Sequence, residues 1–162
     1  MNNDLIKEAI AEAKQEAVAG AKQDELTVAG LIRKSNRILA SISTHKFPFD
    51  FFPDTINVEE GRVNVIIRDF FFSSQIYSVD IKNISNVIIN TSPFFAQMVI
   101  VSKTFTENEI QINSLWISQA IYVRRLIEGL RILDSKEIDT SVYSKRELIR
   151  NLEDLSSTET VI

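Results

Sequence analysis

Thr55-Ile-Asn-Val-Glu-Glu-Gly-Arg-Val-Asn-Val-Ile-Ile-Arg68 decides the fold class. Apolar and polar residues alternate on both sides of Glu60-Gly61, the period of strands with one buried face. Residues 55–60 and 62–68 therefore predict a hairpin turning at Glu60-Gly61. Just upstream, Phe47-Pro-Phe-Asp-Phe-Phe-Pro53 excludes a helix, because each proline biases its predecessor toward extended geometry. Downstream, β-rich stretches occupy about 72–81, 84–91 and 95–105, punctuated by Asp80-Ile-Lys-Asn83 and Asn90-Thr-Ser-Pro93. Glu107-Asn108 then turns the chain into Glu109-Ile-Gln-Ile-Asn113. Six strands, or seven, at this regular spacing predict an antiparallel sandwich or barrel.

Helical periods flank this middle part. Leu5, Ile6, Ala9, Ile10, Ala13 and Ala17 recur three and four apart, the mark of one helical face. The stripe is narrow and mostly alanine, which suits close contact with another helix. A second helical pattern runs through Leu26, Ala29, Leu31, Ile32, Ile38, Leu39 and Ile42. After the strands, Ser118 predicts an N-cap. Ala120, Val123, Leu126, Ile127, Leu130 and Leu133 form the apolar face of the clearest helix in the chain. Arg124, Arg125, Glu128 and Arg131 take its other side, and Glu128 is spaced to pair with Arg124 or Arg131. Ser144-Lys-Arg-Glu147 has the capping-box pattern and starts a short amphipathic helix through Leu148, Ile149, Leu152 and Leu155. The expected division is a helical extension at 1–46, a strand domain with its closing helix at 47–133, and a polar tail at 134–162.

Composition removes several function classes. The chain of 162 residues is 44% hydrophobic and 25% charged, with 18 basic and 22 acidic residues and a net charge of −4. That balance disfavours bulk nucleic-acid binding. There is no cysteine, so disulfides, zinc–thiolate sites and a cysteine nucleophile are excluded, and the single histidine excludes a histidine-rich metal site. The start has no secretory pattern and no apolar run exceeds four residues, so a soluble cytoplasmic protein is expected.

Phe47-Pro-Phe-Asp-Phe-Phe-Pro-Asp-Thr-Ile56, the turn at Glu60-Gly61-Arg62, Ser92-Pro-Phe-Phe-Ala96 and the closing segment from Leu115 to Leu130 together resemble bacterial pleckstrin-homology-like (PH-like) proteins, most of them uncharacterised. The resemblance implies an α+β fold: a PH-like bent antiparallel β-barrel capped by a C-terminal α-helix. It carries no catalytic motif. Phosphoinositide-binding members of that group place several basic residues in the first hairpin loop, which is read here as Glu59-Glu60-Gly61-Arg62. Across 47–122, four basic residues stand against eight acidic ones, a net −4. An anionic bilayer repels such a surface, so a membrane partner is disfavoured.

No constellation points to catalysis. His45 lies in Ser43-Thr-His-Lys46 at a polar joint and is read as solvated. There is no Gly-x-Ser-x-Gly elbow, no phosphate-cradling glycine loop and no Asp-x-Asp-x-Asp calcium loop. No catalytic residue, metal site or cofactor is expected. Arg33, Lys34 and Arg37 read as a solvated helix face, and Trp116 as a core anchor. Phe70-Phe-Phe72 cannot all face one core; Phe71 points opposite to its neighbours, so something must cover it. The expected function is a non-enzymatic interaction or scaffolding module with a protein partner or a homo-oligomer. Leu5, Ala9, Ala13, Ala17 and Phe71 are its expected contacts. A peripheral membrane protein is the alternative.

Overall fold

The computed structural model describes residues 37–45, 51–68, 73–104 and 109–157, together with Gln15 and Val28 singly. The chain divides into two compact units, Met1–Arg33 and Lys34–Ile162. Leu5, Ala9, Ala13, Ala17 and Phe71 lie outside the described residues.

Seven strands form two antiparallel sheets. The first holds β1 (Ile38–Ser43), β2 (Thr55–Glu59), β3 (Arg62–Arg68) and β4 (Ser74–Asp80) in sequence order. The second holds β5 (Ile84–Thr91), β6 (Phe95–Ser102) and β7 (Glu109–Trp116), again in order. Two helices follow, α1 (Ile117–Ser135) and α2 (Lys145–Ser157).

The expected hairpin is β2–β3. Ile56 faces Val65 and Val58 faces Val63, and all four are fully buried, so alternation produces the core face that it predicts. The helical period read through Ile38, Leu39 and Ile42 is corrected: those residues are β1, which pairs with β2 from Ile38↔Glu59 to Ser43↔Thr55. Leu39 and Ala40 are both buried because the ladder shifts register between Ile38 and Ala40. That bulge breaks the period-two alternation and leaves spacings of three and four that mimic a helix. The helical extension expected at 1–46 thus contains a strand, and the sheet begins at Ile38 rather than near residue 47.

The α+β arrangement of strands and closing helix is as expected, but the expected bent barrel is two separate sheets. β4 and β5 do not pair; a 3-10 turn at Ile81–Asn83 carries the chain from one sheet to the other. Ile81 donates its N–H to the Gly61 carbonyl (3.0 Å) at that corner. At the opposite side the His45 N–H donates to the Ser114 carbonyl at 2.8 Å. α1 lies against β5, β6, β7 and the 3-10 turn, and reaches β1 and β2, so it contacts both sheets. Its buried residues include all six expected face positions, from Ala120 to Leu133. Its cap differs from expectation: the helix starts at Ile117 after an extended Trp116, and no side chain caps it. Glu128 pairs with Arg131 at 2.6 Å, and Arg131 also donates to the Ser85 carbonyl at 2.8 Å, tying α1 to β5.

The segment expected as a polar tail completes the core. Ser144 and Glu147 form the capping box: the Ser144 hydroxyl and N–H both donate to Glu147 Oε2, at 2.6 and 3.0 Å. The Glu147 N–H returns to Ser144 Oγ at 3.3 Å. These bonds from Ser144 hold the Glu147 carboxyl below its ordinary range, with help from Arg150. α2 then buries Leu148 and Leu152 completely. It crosses α1 at Gly129, where a Cβ would stand 2.9 Å from Leu152 Cδ2 and 3.0 Å from its carbonyl oxygen. Burial raises the Tyr122 hydroxyl above its ordinary pKa, and Glu153 on α2 adds to the effect.

Candidate functional site

One end of the two sheets in the unit Lys34–Ile162 gathers exposed aromatic rings. β7 buries Ile110 and Ile112 while Glu109, Gln111 and Asn113 face out. Strict alternation would turn Leu115 outward. Instead Ser114 takes φ 61°, and the β6–β7 ladder slips between Ala96↔Leu115 and Met98↔Ile112. The inserted residue reverses the phase, as β-bulges do. Leu115 is therefore fully buried, and Trp116 is aimed outward with 44% of its surface exposed.

Two rings flank the indole. Phe95, its register partner on β6, lies 5.2 Å away between centroids at a tilt of 37°. His45 lies at 5.5 Å and 50°, held there by its N–H bond to the bulged Ser114. Phe94, in the β5–β6 turn that the Ser92 N–H to Phe95 carbonyl bond closes, is 74% exposed. His45 also opens the β1–β2 loop, which carries Phe51 and Phe52, at 79% and 38% exposure. The base of that loop is fastened by Thr44 N–H to the Asp54 carbonyl (2.9 Å) and by Arg68, whose N–H meets Asp54 Oδ1 at 2.8 Å. Exposed apolar residues are ordinary singly, whereas a group at one end marks a contact surface. Trp116 is thus not the core anchor expected of it, whereas His45 is exposed, as expected, and lies tilted against the indole. The bulge that exposes Trp116 leaves no signature in the alternation up to Asn113, which is why sequence reading missed it.

The first hairpin loop is this β1–β2 connection, not Glu59-Glu60-Gly61-Arg62. It contains one lysine, Lys46, against Asp50 and Asp54, so the shortage of basic residues persists in the corrected place.

Arg37 is likewise not part of a solvated helix face. Its Nε donates to Glu60 Oε1, and its Nη1 and Nη2 donate to the carbonyls of Tyr143 (2.7 Å) and Thr140 (3.2 Å). The Thr140 hydroxyl donates to Glu60 Oε2 at 2.7 Å, so the buried Glu60 carboxylate is satisfied on both oxygens. Beside it, Asp134, Glu137 and Asp139 edge a shallow cleft of about 290 Å³. Across α1, Lys82, Lys103 and Arg131 border a second cleft of similar volume. Among the described residues no three histidine, aspartate or glutamate side chains converge as a metal site would require. No described helix is long and apolar enough to cross a membrane.

No protein-family model matches the chain, and no curated protein matches it. Among solved structures, it is similar to the pleckstrin homology (PH) domain of USP37, with a TM-score of 0.41 and 12% sequence identity over 57% of this chain and 96% of that one.

Proposed function

We propose that the chain is a cytoplasmic, non-enzymatic interaction module of PH-like architecture that docks a protein through the aromatic cluster around Trp116. The carrying observation is the bulge at Ser114, which turns a tryptophan out of the core and sets it between His45 and Phe95, beside an exposed Phe94. Tryptophan and its aromatic neighbours are the residue types on which protein interfaces concentrate their binding energy. The order of four strands, three strands and a closing helix supports the PH-like reading. The alanine stripe of Leu5, Ala9, Ala13 and Ala17 supplies a second contact for assembly, and Phe71 supplies an apolar one. The net charge of −4 disfavours nucleic acid.

The test compares the wild-type chain with a Phe94→Ser/Trp116→Ala double variant and with Arg124→Ala on the exposed side of α1, each by crosslinking inside cells. Proteins crosslinked by the wild type and by Arg124→Ala should be missing from the double variant. Identical sets from all three would overturn the reading. Strong co-sedimentation with anionic vesicles at low salt, abolished in the double variant, would instead assign the same rings to a bilayer.

A further inference from the structure

Four strands stand at sheet edges: β1 and β4 in one sheet, β5 and β7 in the other. The ladders of β1, β5 and β7 are each interrupted by a register shift. The β3–β4 ladder runs unbroken from Arg62↔Asp80 to Arg68↔Ser74. Bulges, prolines and charges are the devices that keep an edge from pairing with another chain. β4 has no bulge and no proline, and it carries no charge before Asp80 at its end. Ile76, its third residue, is 67% exposed and is the exposed apolar side chain of the strand. Among the described residues, β4 pairs with β3 alone.

We propose that β4 pairs antiparallel with β4 of a second copy of this chain, across a two-fold axis normal to the sheet, joining two four-stranded sheets into one of eight. In an antiparallel pair, residues directly opposite each other share a face. Centring the axis on Ile76 sets Ile76 against its own counterpart, Ser74 against Ser78, and Gln75 against Tyr77. No like charges meet, and the exposed isoleucine is covered by its equal. Such self-complementarity is what a two-fold interface demands. In this register the strand's exposed isoleucine meets an apolar side chain of equal size, which a second copy supplies. The inference is independent of the docking surface at Trp116, because it uses none of those residues.

Light scattering on the full chain should give twice the mass of the 18.4 kDa chain. Ile76→Lys and Ser78→Lys, both at exposed positions, should each weaken association at least about tenfold by setting a charge on the paired edge. The chain has no cysteine, so Ile76→Cys places one thiol per copy at the axis. Mild oxidation should then link the copies covalently, while Ser74→Cys, which faces Ser78, should link poorly. A single-chain mass at every concentration would overturn the proposal. So would a dimer that both lysine variants leave intact, or Ser74→Cys linking as readily as Ile76→Cys.

Discussion

Arg37 and Glu60 stand 23 residues apart and form a pair that neither one's neighbours announce. Arg37 falls where charge patterning reads a solvated face, and Glu60 where Glu-Gly reads a turn. Arg37's other partners, Thr140 and Tyr143, lie more than a hundred residues further along the chain, and of the two Thr140 also bonds Glu60. Only the folded chain brings these together, so the network was not legible. Removing one partner strands a buried charge, and Arg37→Ala should therefore cost about 3 kcal/mol in urea unfolding, the low end for such pairs because the arginine keeps some solvent. A loss below about 1 kcal/mol would mean that water replaces the guanidinium. Glu147, by contrast, was read correctly from Ser144-Lys-Arg-Glu147. Its carboxyl is held below the ordinary range by Ser144, so the capping box stabilises α2 above the unfolded-state pKa and is lost as pH falls through the folded value. Stability measured against pH should show Glu147→Gln weaker than wild type near neutrality, with the difference shrinking in acid. A constant difference across that range would contradict this account.

Among the elements, α1 was the most legible, since a 3.6-residue period over six turning positions leaves little room for another reading. β1 was the least legible, because its bulge gave a strand the spacing of a helix. The tail was recognised as helical, but not as core. Its apolar side was visible in the sequence, whereas its seat on Gly129 depends on a glycine that local rules count only as a weakness. Helix propensity alone says that Gly129→Ala should gain about 1 kcal/mol. The contact with Leu152 reverses the sign. A methyl group within 2.9 Å of a side-chain carbon and 3.0 Å of a backbone oxygen forces the helices apart, and the variant should lose about 1–3 kcal/mol in denaturant unfolding. A more stable variant would show that α2 has room to shift.

For the molecule as a whole, six of the seven strands and the closing helix followed from alternation and turn residues, while β1 and the division into two sheets did not. Closure depends on whether β4 and β5 share hydrogen bonds, and a 3-10 turn between them decides that at a corner without a distinctive sequence. The aromatic end is separable from this framework. Phe94 is 74% exposed, so Phe94→Ser should change the thermal midpoint by the equivalent of about 0.5 kcal/mol or less. A larger loss would make that ring part of the core rather than of a contact surface. The connection of the chain's first 36 residues to the sheet has a mechanical side. They join it through β1, whose first pair is Ile38↔Glu59. Fraying of β1 from that end begins at this pair and proceeds one pair after another toward Ser43↔Thr55. Arg37 stands ahead of the first pair with Glu60, Thr140 and Tyr143 all holding its guanidinium. Fraying from that side must unseat this bolt before the strand can begin to unzip.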